Sequence, residues 1–195
     1  MAQLLFAKNQ INVKIVYYGP ALAGKATCFA ALQQQISGTV GGPDPLELDG
    51  EHAVRLTCFP EWLEPIRERT VCLQLFTVPS AAFESSFPHR LVLEGADALV
   101  FVADSGPDAF EGNLDVWRKL GEGLAGLGES LDELPVVFQW NKRDLPDAVP
   151  VERLQAELNQ RGAFAGESVA AAGTGVLEPL QEAARLAVRG LEALD

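Results

Sequence analysis

The chain has 195 residues, of which 48% are hydrophobic and 22% charged, and its formal net charge is −12 at pH 7. An acidic surface is repelled by nucleic acid and by anionic membranes, so neither is an expected partner. The length and hydrophobic content favour a single folded domain spanning residues 1–195. No signal peptide, no membrane-length apolar run and no lipid-anchor motif is recognisable, which predicts a soluble cytoplasmic protein without a membrane anchor.

Cysteine and histidine are too few and too scattered for a metal centre. The three cysteines, Cys28, Cys58 and Cys72, form no CxxC pair, and neither His52 nor His89 lies near a cysteine. An odd number of unpaired cysteines argues against a disulfide framework and against structural zinc. We therefore expect free thiols and no metal ligands of this kind.

Strand-like and helix-like segments alternate along the chain. In chain order the pattern predicts a strand at residues 11–18, a helix from 25 to about 36, a long exposed loop at 37–50, strands at 53–59 and 70–78 that would suit an antiparallel pair, a helix at 83–94 broken at Pro88, a strand at 98–103, a helix at 113–127, a strand at 135–140, a helix at 151–159, a short strand at 167–172 and a helix at 176–194. Such alternation predicts an α/β fold with a mostly parallel sheet.

The turn after the first strand reads GPALAGKAT over residues 19–27. A GxxxxGK pattern wraps backbone N–H groups around a phosphate, which the lysine reaches from a helix N-terminus. The next position is Ala26, whose methyl group cannot ligate Mg²⁺, and Thr27 lies about 100° further round the helix. Taken alone, the pattern also fits an ordinary glycine turn. The candidate nucleotide-binding residues here are Gly19, Leu22, Ala23, Gly24, Lys25, Ala26 and Thr27.

A second motif, Asn141-Lys142-Arg143-Asp144, follows the apolar strand at residues 135–140. In an NKxD motif the aspartate accepts the guanine N1–H and the exocyclic amine together, which adenine cannot offer. The lysine stem packs along the base, and the asparagine ties this loop to the phosphate loop. As a bare tetrapeptide the motif also fits a polar turn, but together with the phosphate loop it predicts guanine recognition by Asn141, Lys142 and Asp144.

Five segments resemble the MglA-like family of bacterial Ras-like small GTPases, which set cell polarity in gliding and twitching motility. They are KIVYYGPALAGK (14–25), FTVP (76–79), ALVFVADS (98–105), NKRDLPDAVPVE (141–152) and ESVAAAGTGV (167–176). The resemblance implies a Ras-like P-loop NTPase fold, with an about six-stranded, mostly parallel sheet and helices on both faces. It also implies that Ala170, with Ala171, occupies the loop whose backbone N–H faces the guanine O6.

The departures from the family concern the metal, the switches and the attacking water. By the resemblance, Ala26 replaces a Mg²⁺-ligating threonine, Ala53 replaces the switch I threonine, and His52 replaces the neighbouring catalytic arginine. In the family's TVPGQ segment the γ-phosphate-sensing glycine becomes Ser80 and the water-orienting glutamine becomes Ala81, while the threonine and proline are retained. The switch-like positions are His52, Ala53, Thr77, Pro79, Ser80 and Ala81.

Three hypotheses follow. The first is a pseudo-GTPase that binds GDP or GTP weakly or not at all, without requiring Mg²⁺ and without efficient hydrolysis, and that acts through protein contacts. The second is a slow GTPase completed by residues of a partner protein. The third is a nucleotide-free scaffold in which Leu22 and its neighbours fill the site. By the resemblance, the expected partner is a roadblock-type, MglB-like dimer or another polarity protein.

Overall fold

A single β-sheet organises the described part of the chain. The computed structural model describes residues 3–5, 9–48, 51–77 and 92–192. Within these ranges the strands are β1 (Gln3–Leu5), β2 (Gln10–Tyr18), β3 (Gly38–Val40), β4 (Asp44–Leu48), β5 (Glu51–Pro60), β6 (Thr70–Thr77), β7 (Ala98–Asp104), β8 (Val136–Asn141) and β9 (Ala165–Glu167). The helices are α1 (Lys25–Gln35), α2 (Phe110–Gly126), α3 (Val151–Leu158) and α4 (Leu177–Glu192).

Five adjacent strands of the sheet are parallel, in the order β6-β2-β7-β8-β9. β5 lies antiparallel against β6, and the short strands β3 and β4 both pair with β5, while β1 pairs with β2. Because parallel strands end at the same edge, the segments that follow β2, β7 and β8 meet there. This edge carries both sequence motifs.

Helices cover both faces of the sheet. α1 and α4 pack on one face, where Phe29, Leu32 and Leu180 are buried against β2, β6 and β7. α2 and α3 pack on the other face, where Leu120 and Leu154 are buried. Every residue of β7 is buried, which explains why its sequence is apolar rather than alternating. The two cores fix the strand ends on which the candidate site is built.

The predicted α/β class is confirmed, with a mostly parallel core (β5-β6-β2-β7-β8-β9) covered on both faces. The short strands β1, β3 and β4, which were not predicted, bring the sheet to nine strands within the described residues rather than about six. The antiparallel pairing of the predicted strands at 53–59 and 70–78 is confirmed as β5 and β6. Among the described residues, no helix is long and apolar enough to cross a membrane.

Two predicted elements are wrong. Residues 37–48 do not form one long loop, because β3 and β4 occupy most of this segment and pair with β5. The predicted strand at 167–172 begins earlier and is shorter, since β9 ends at Glu167 and Ala170–Ala172 form a 3-10 turn. Most of the predicted helix at 83–94 lies outside the described residues, which resume at Val92.

Candidate nucleotide site

The phosphate loop joins the end of β2 to the first turn of α1. Gly19 and Gly24 have φ values of +144° and +98°, a backbone region that favours glycine. A Cβ at Gly19 would overlap the carbonyl oxygen of Val102 in β7, and a Cβ at Gly24 would overlap the Asn141 Nδ2. Both glycines are therefore required by close approach as well as by backbone angle.

Lys25 is the first residue of α1, and its ammonium lies inside this loop. Its Nζ donates to the carbonyl oxygens of Gly19 and Pro20, each at 2.8 Å. The residue is 6% exposed, and burial lowers the pKa of the ammonium to about 8, although nearby Cys28 acts in the opposite direction. An ammonium has three donors, so one remains for an anion bound at the loop.

Asn141, the last residue of β8, connects three loops. Its Nδ2 donates to the Ala23 carbonyl of the phosphate loop at 2.8 Å. Its Oδ1 accepts from the Ala170 backbone N–H at 2.9 Å and from the Ser168 hydroxyl at 3.1 Å. The side chain is buried, so these hydrogen bonds are shielded from water. The phosphate loop, the NKxD loop and the loop that carries Ala170 and Ala171 (the alanine loop) are thereby held in one arrangement.

The carboxylate of Asp144 is exposed, and no hydrogen bond or ion pair within the described part of the chain occupies it. The loop around it is well anchored. Arg143 donates its backbone N–H to the Ser168 carbonyl at 3.1 Å and its Nη1 to the Val149 carbonyl at 2.7 Å, and its Nε pairs with Glu167 at 2.9 Å. Asp144 therefore presents two free acceptors from a fixed backbone.

The alanine loop differs in detail from the prediction. The Ala170 N–H already donates to Asn141, whereas no backbone partner within the described residues accepts the N–H of Ala171. Ala171 is exposed and Ala170 is buried. Of the two predicted positions, Ala171 is therefore the one with a backbone donor available to a base.

The switch-like positions that the structure describes belong to strands. Ala53 lies within β5, fully buried and opposite Leu46 of β4, and His52 lies opposite Glu47 in the same register. Thr77 ends β6, and its hydroxyl accepts a hydrogen bond from the Val54 N–H at 2.9 Å. The remaining positions, Pro79, Ser80 and Ala81, lie outside the described residues.

The residues at this edge fit a nucleoside diphosphate better than they fit a metal. Lys25 and the amides of its loop suit phosphate oxygens, and Asp144 suits the guanine edge. Ala26 and Ala53 carry methyl groups, which cannot ligate Mg²⁺. Thr27 is exposed on the first turn of α1, one position beyond the residue that would reach a metal.

The chain is 35% identical over 193 residues to the mutual gliding-motility protein MglA of Myxococcus xanthus (strain DK1622), an alignment that covers 98% of this chain and 98% of that protein. No family model matches the chain. The chain belongs to the MglA-like family of Ras-like small GTPases. Membership in the MglA-like family suggests guanine-nucleotide binding, which agrees with the donors and acceptors at this edge.

Two features of this MglA-like site differ from, or were missed by, the sequence interpretation. Leu22 is 86% exposed, so the prediction that it fills the site is wrong. Asp104 carries an ion pair to Lys142, with 2.6 Å between Oδ2 and Nζ, which proximity in sequence did not reveal because the residues lie 38 positions apart. The signal in the sequence was that Asp104 lies at the end of one predicted buried strand and Lys142 follows another, and that both strands end at the same edge.

Proposed function

We propose that this protein is an MglA-like pseudo-GTPase: a single small-GTPase-like domain that binds a guanine nucleotide without Mg²⁺ and regulates polarity or motility through protein contacts. The hydrogen bonds of Asn141 to Ala23, Ser168 and Ala170 are the main support. They bring a phosphate loop and a base loop together with an open carboxylate at Asp144. This arrangement supports a role in nucleotide binding.

The same site is poorly equipped for hydrolysis. Methyl groups at Ala26 and Ala53 stand where the family resemblance places metal ligands, and Ala81 stands where it places the glutamine that orients water. Each interaction needed only in the transition state is worth roughly a hundredfold or more in rate. The combined loss argues for GTP turnover that is absent or very slow, with no catalytic residue in this chain.

The partner and location follow from the family. The relative is named a mutual gliding-motility protein, and the partner class we propose is a roadblock-type, MglB-like dimer or another polarity protein. The proposed location is cytoplasmic. Because the net charge is −12, such a partner is expected to present a neutral or basic surface.

Nucleotide binding is expected to resist chelation. Heat-denatured, freshly purified protein should release GDP or GTP that chromatography detects, and nucleotide-depleted protein should bind GDP in calorimetry. Because no threonine hydroxyl stands at position 26 or 53, an excess of EDTA should change the GDP Kd less than twofold. A large loss of affinity on chelation would contradict the metal-free proposal. No binding of any guanine nucleotide would reject the proposed function itself.

Partner binding is expected to be nearly independent of the γ-phosphate. A ligand shifts a conformational equilibrium only through contacts that differ between the two states. Ala53 pairs with Leu46 of β4, and the next residue, Val54, is tied to Thr77 at the end of β6. Affinity for the partner, measured with GDP and with a non-hydrolysable GTP analogue, should agree within about twofold. A tenfold preference for the analogue equals about 1.4 kcal/mol of coupling and would mean that the chain is a true switch.

A further inference from the structure

The ammonium of Lys142 is held by a carboxylate on the neighbouring strand. Lys142 directly follows β8 in a left-handed backbone conformation, with φ of +64°. Its Nζ lies 2.6 Å from Oδ2 of Asp104, the last residue of β7, which is opposite Asn141 in the strand register. The lysine stem is thus fixed at one end by the backbone and at the other by an ion pair.

Both carboxylate oxygens of Asp104 have partners. Oδ1 accepts the Gly106 backbone N–H at 2.9 Å, and Oδ2 accepts from Lys142. The Asp104 side chain is 11% exposed and that of Lys142 is 36% exposed. The pair is therefore partly screened from water, and its geometry is defined on the carboxylate side by the loop hydrogen bond as well as by charge.

The backbone of Asp104 is itself held by a side chain of α2. β2 ends at Tyr18 opposite Phe101, so Asp104 extends beyond the reach of β2. In place of a strand, Asn113 pairs with it. Its Oδ1 accepts the Asp104 N–H at 3.0 Å, and its Nδ2 donates to the Asp104 carbonyl at 2.8 Å. A fully buried amide in a helix costs free energy unless it is hydrogen-bonded, and here both ends of the amide are used.

We propose that Asn113 and Asp104 are positioning residues for guanine binding, which act by holding the Lys142 stem where it packs along the base. The proposal rests on the proposed guanine-nucleotide function and adds two residues to it. Asn113 fixes the end of β7, Asp104 fixes the ammonium, and the stem between β7 and β8 becomes a prearranged surface for the base. Neither Asn113 nor Asp104 contacts the nucleotide.

The chain offers a matched control for Asn113. Asn159 is also buried, at 3% exposure, and its Nδ2 and Oδ1 bond the carbonyl and N–H of a single residue, Ala163, at 2.7 and 2.8 Å. It follows α3 and precedes β9, at the end of the sheet opposite the motifs. Asn159→Ala therefore removes the same kind of double hydrogen bond without touching the chain of contacts to Lys142.

The binding test uses full-length protein with GDP and with inorganic pyrophosphate, a probe that lacks the base. Asn113→Ala should raise the GDP Kd about tenfold, a coupling typical of residues in one network, and change the pyrophosphate Kd less than twofold. Asn159→Ala should change neither. In a Lys142→Ala background, Asn113→Ala should add almost nothing, because the residue through which it acts is gone. Equal losses in both backgrounds would overturn the proposal.

A second measurement keeps the inference testable without nucleotide. The Lys142 ammonium should give a protected ¹H–¹⁵N signal at low temperature, assigned by its absence in Lys142→Ala. Asn113→Ala should abolish the signal, and Asn159→Ala should retain it. If Asn113→Ala does not fold, the isosteric Asp104→Asn serves instead, since it keeps the two hydrogen bonds between Asn113 and the backbone of residue 104 but removes the charge and replaces one of the two carboxylate acceptors with a donor. Where the unmodified protein binds GDP, retention of the signal in Asn113→Ala, or in Asp104→Asn if Asn113→Ala does not fold, overturns the positioning role alone. Failure of the unmodified protein to bind GDP rejects the proposed function and, with it, the role of both residues in guanine binding.

Discussion

Lys25→Met is expected to weaken GDP binding by about a hundredfold, since an ammonium that donates to phosphate contributes roughly 1.5–3 kcal/mol per hydrogen bond in addition to its charge. Methionine has a similar length and remains compatible with burial. The substitution should not destabilise the nucleotide-free protein, because burial of the charged form is already unfavourable, as the pKa of about 8 indicates. Calorimetry measures the first effect and urea unfolding the second.

GDP binding is expected to depend on pH, because Lys25 titrates near neutral pH. Its pKa in the free protein is about 8, lowered by burial from 10.5, and phosphate selects the charged form. The GDP affinity of the unmodified protein should therefore fall about tenfold between pH 7 and pH 9, with proton uptake on binding. Lys25→Met should lack this component, so the difference between the two proteins separates it from titration of the guanine base.

The stability of the nucleotide-free protein should respond to pH in the opposite sense. Between pH 8 and 10.5 the unfolded chain retains the Lys25 proton that the folded chain has lost, so this group makes folding more favourable as pH rises through that window. The free energy of unfolding of Lys25→Met should therefore exceed that of the unmodified protein most clearly below pH 8. If the two proteins differed in free energy of unfolding by the same amount at pH 7 and pH 10, burial would not be what lowers the pKa of Lys25.

Much of the fold was predictable because the sheet is mostly parallel and covered on both faces. Such strands are apolar throughout, as in β7, and they alternate with amphipathic helices, so pattern alone located β2, β7, β8 and α4. The ligand edge was predictable for the same reason, because glycines, a lysine and an NKxD tetrapeptide that come directly after strands indicate it. These signals are local in sequence.

The errors arose where tertiary pairing decides the structure. Residues 37–48 contain glycines and prolines that predict a loop, yet β5 has ten residues and an open edge against which β3 and β4 pair. Proline is tolerated on such an edge strand. The alanines after β9 form a 3-10 turn rather than a strand, as their helical preference favours.

The contact between Asp104 and Lys142 shows why some residues of the site were not predictable from the sequence. Asp97, Asp104 and Asp108 lie close together in the sequence, a spacing that by itself is typical of helix-capping and loop carboxylates. In the structure these residues diverge: Asp97 Oδ2 accepts the Lys14 N–H at 2.8 Å, while Asp104 pairs with Lys142. Only the register of β7 and β8 brings the last two together. Pairing across strands cannot be inferred from spacing along the chain.

Asp144→Asn is expected to exchange the preferred base from guanine to xanthine. The carboxylate offers two acceptors to the guanine N1–H and exocyclic amine, and it is exposed on a loop whose backbone is anchored through Arg143. An amide replaces one acceptor with a donor. The variant should therefore lose the hydrogen bond from the exocyclic amine of guanine and gain one to the carbonyl that xanthine carries at the same position.

The loss for GDP should be about 1.5–3 kcal/mol, or roughly ten- to a hundred-and-fifty-fold in Kd, since the bonds involve a charged group. Asp147→Asn is the matched control, because Asp147 is an exposed carboxylate three residues further along the same loop. It should bind GDP as the unmodified protein does. Calorimetry with GDP, ADP and xanthosine diphosphate on all three proteins decides the matter. Equal affinity of the unmodified protein for GDP and ADP would remove guanine recognition from Asp144, and an Asp144→Asn variant that still prefers GDP would place the base elsewhere on this edge.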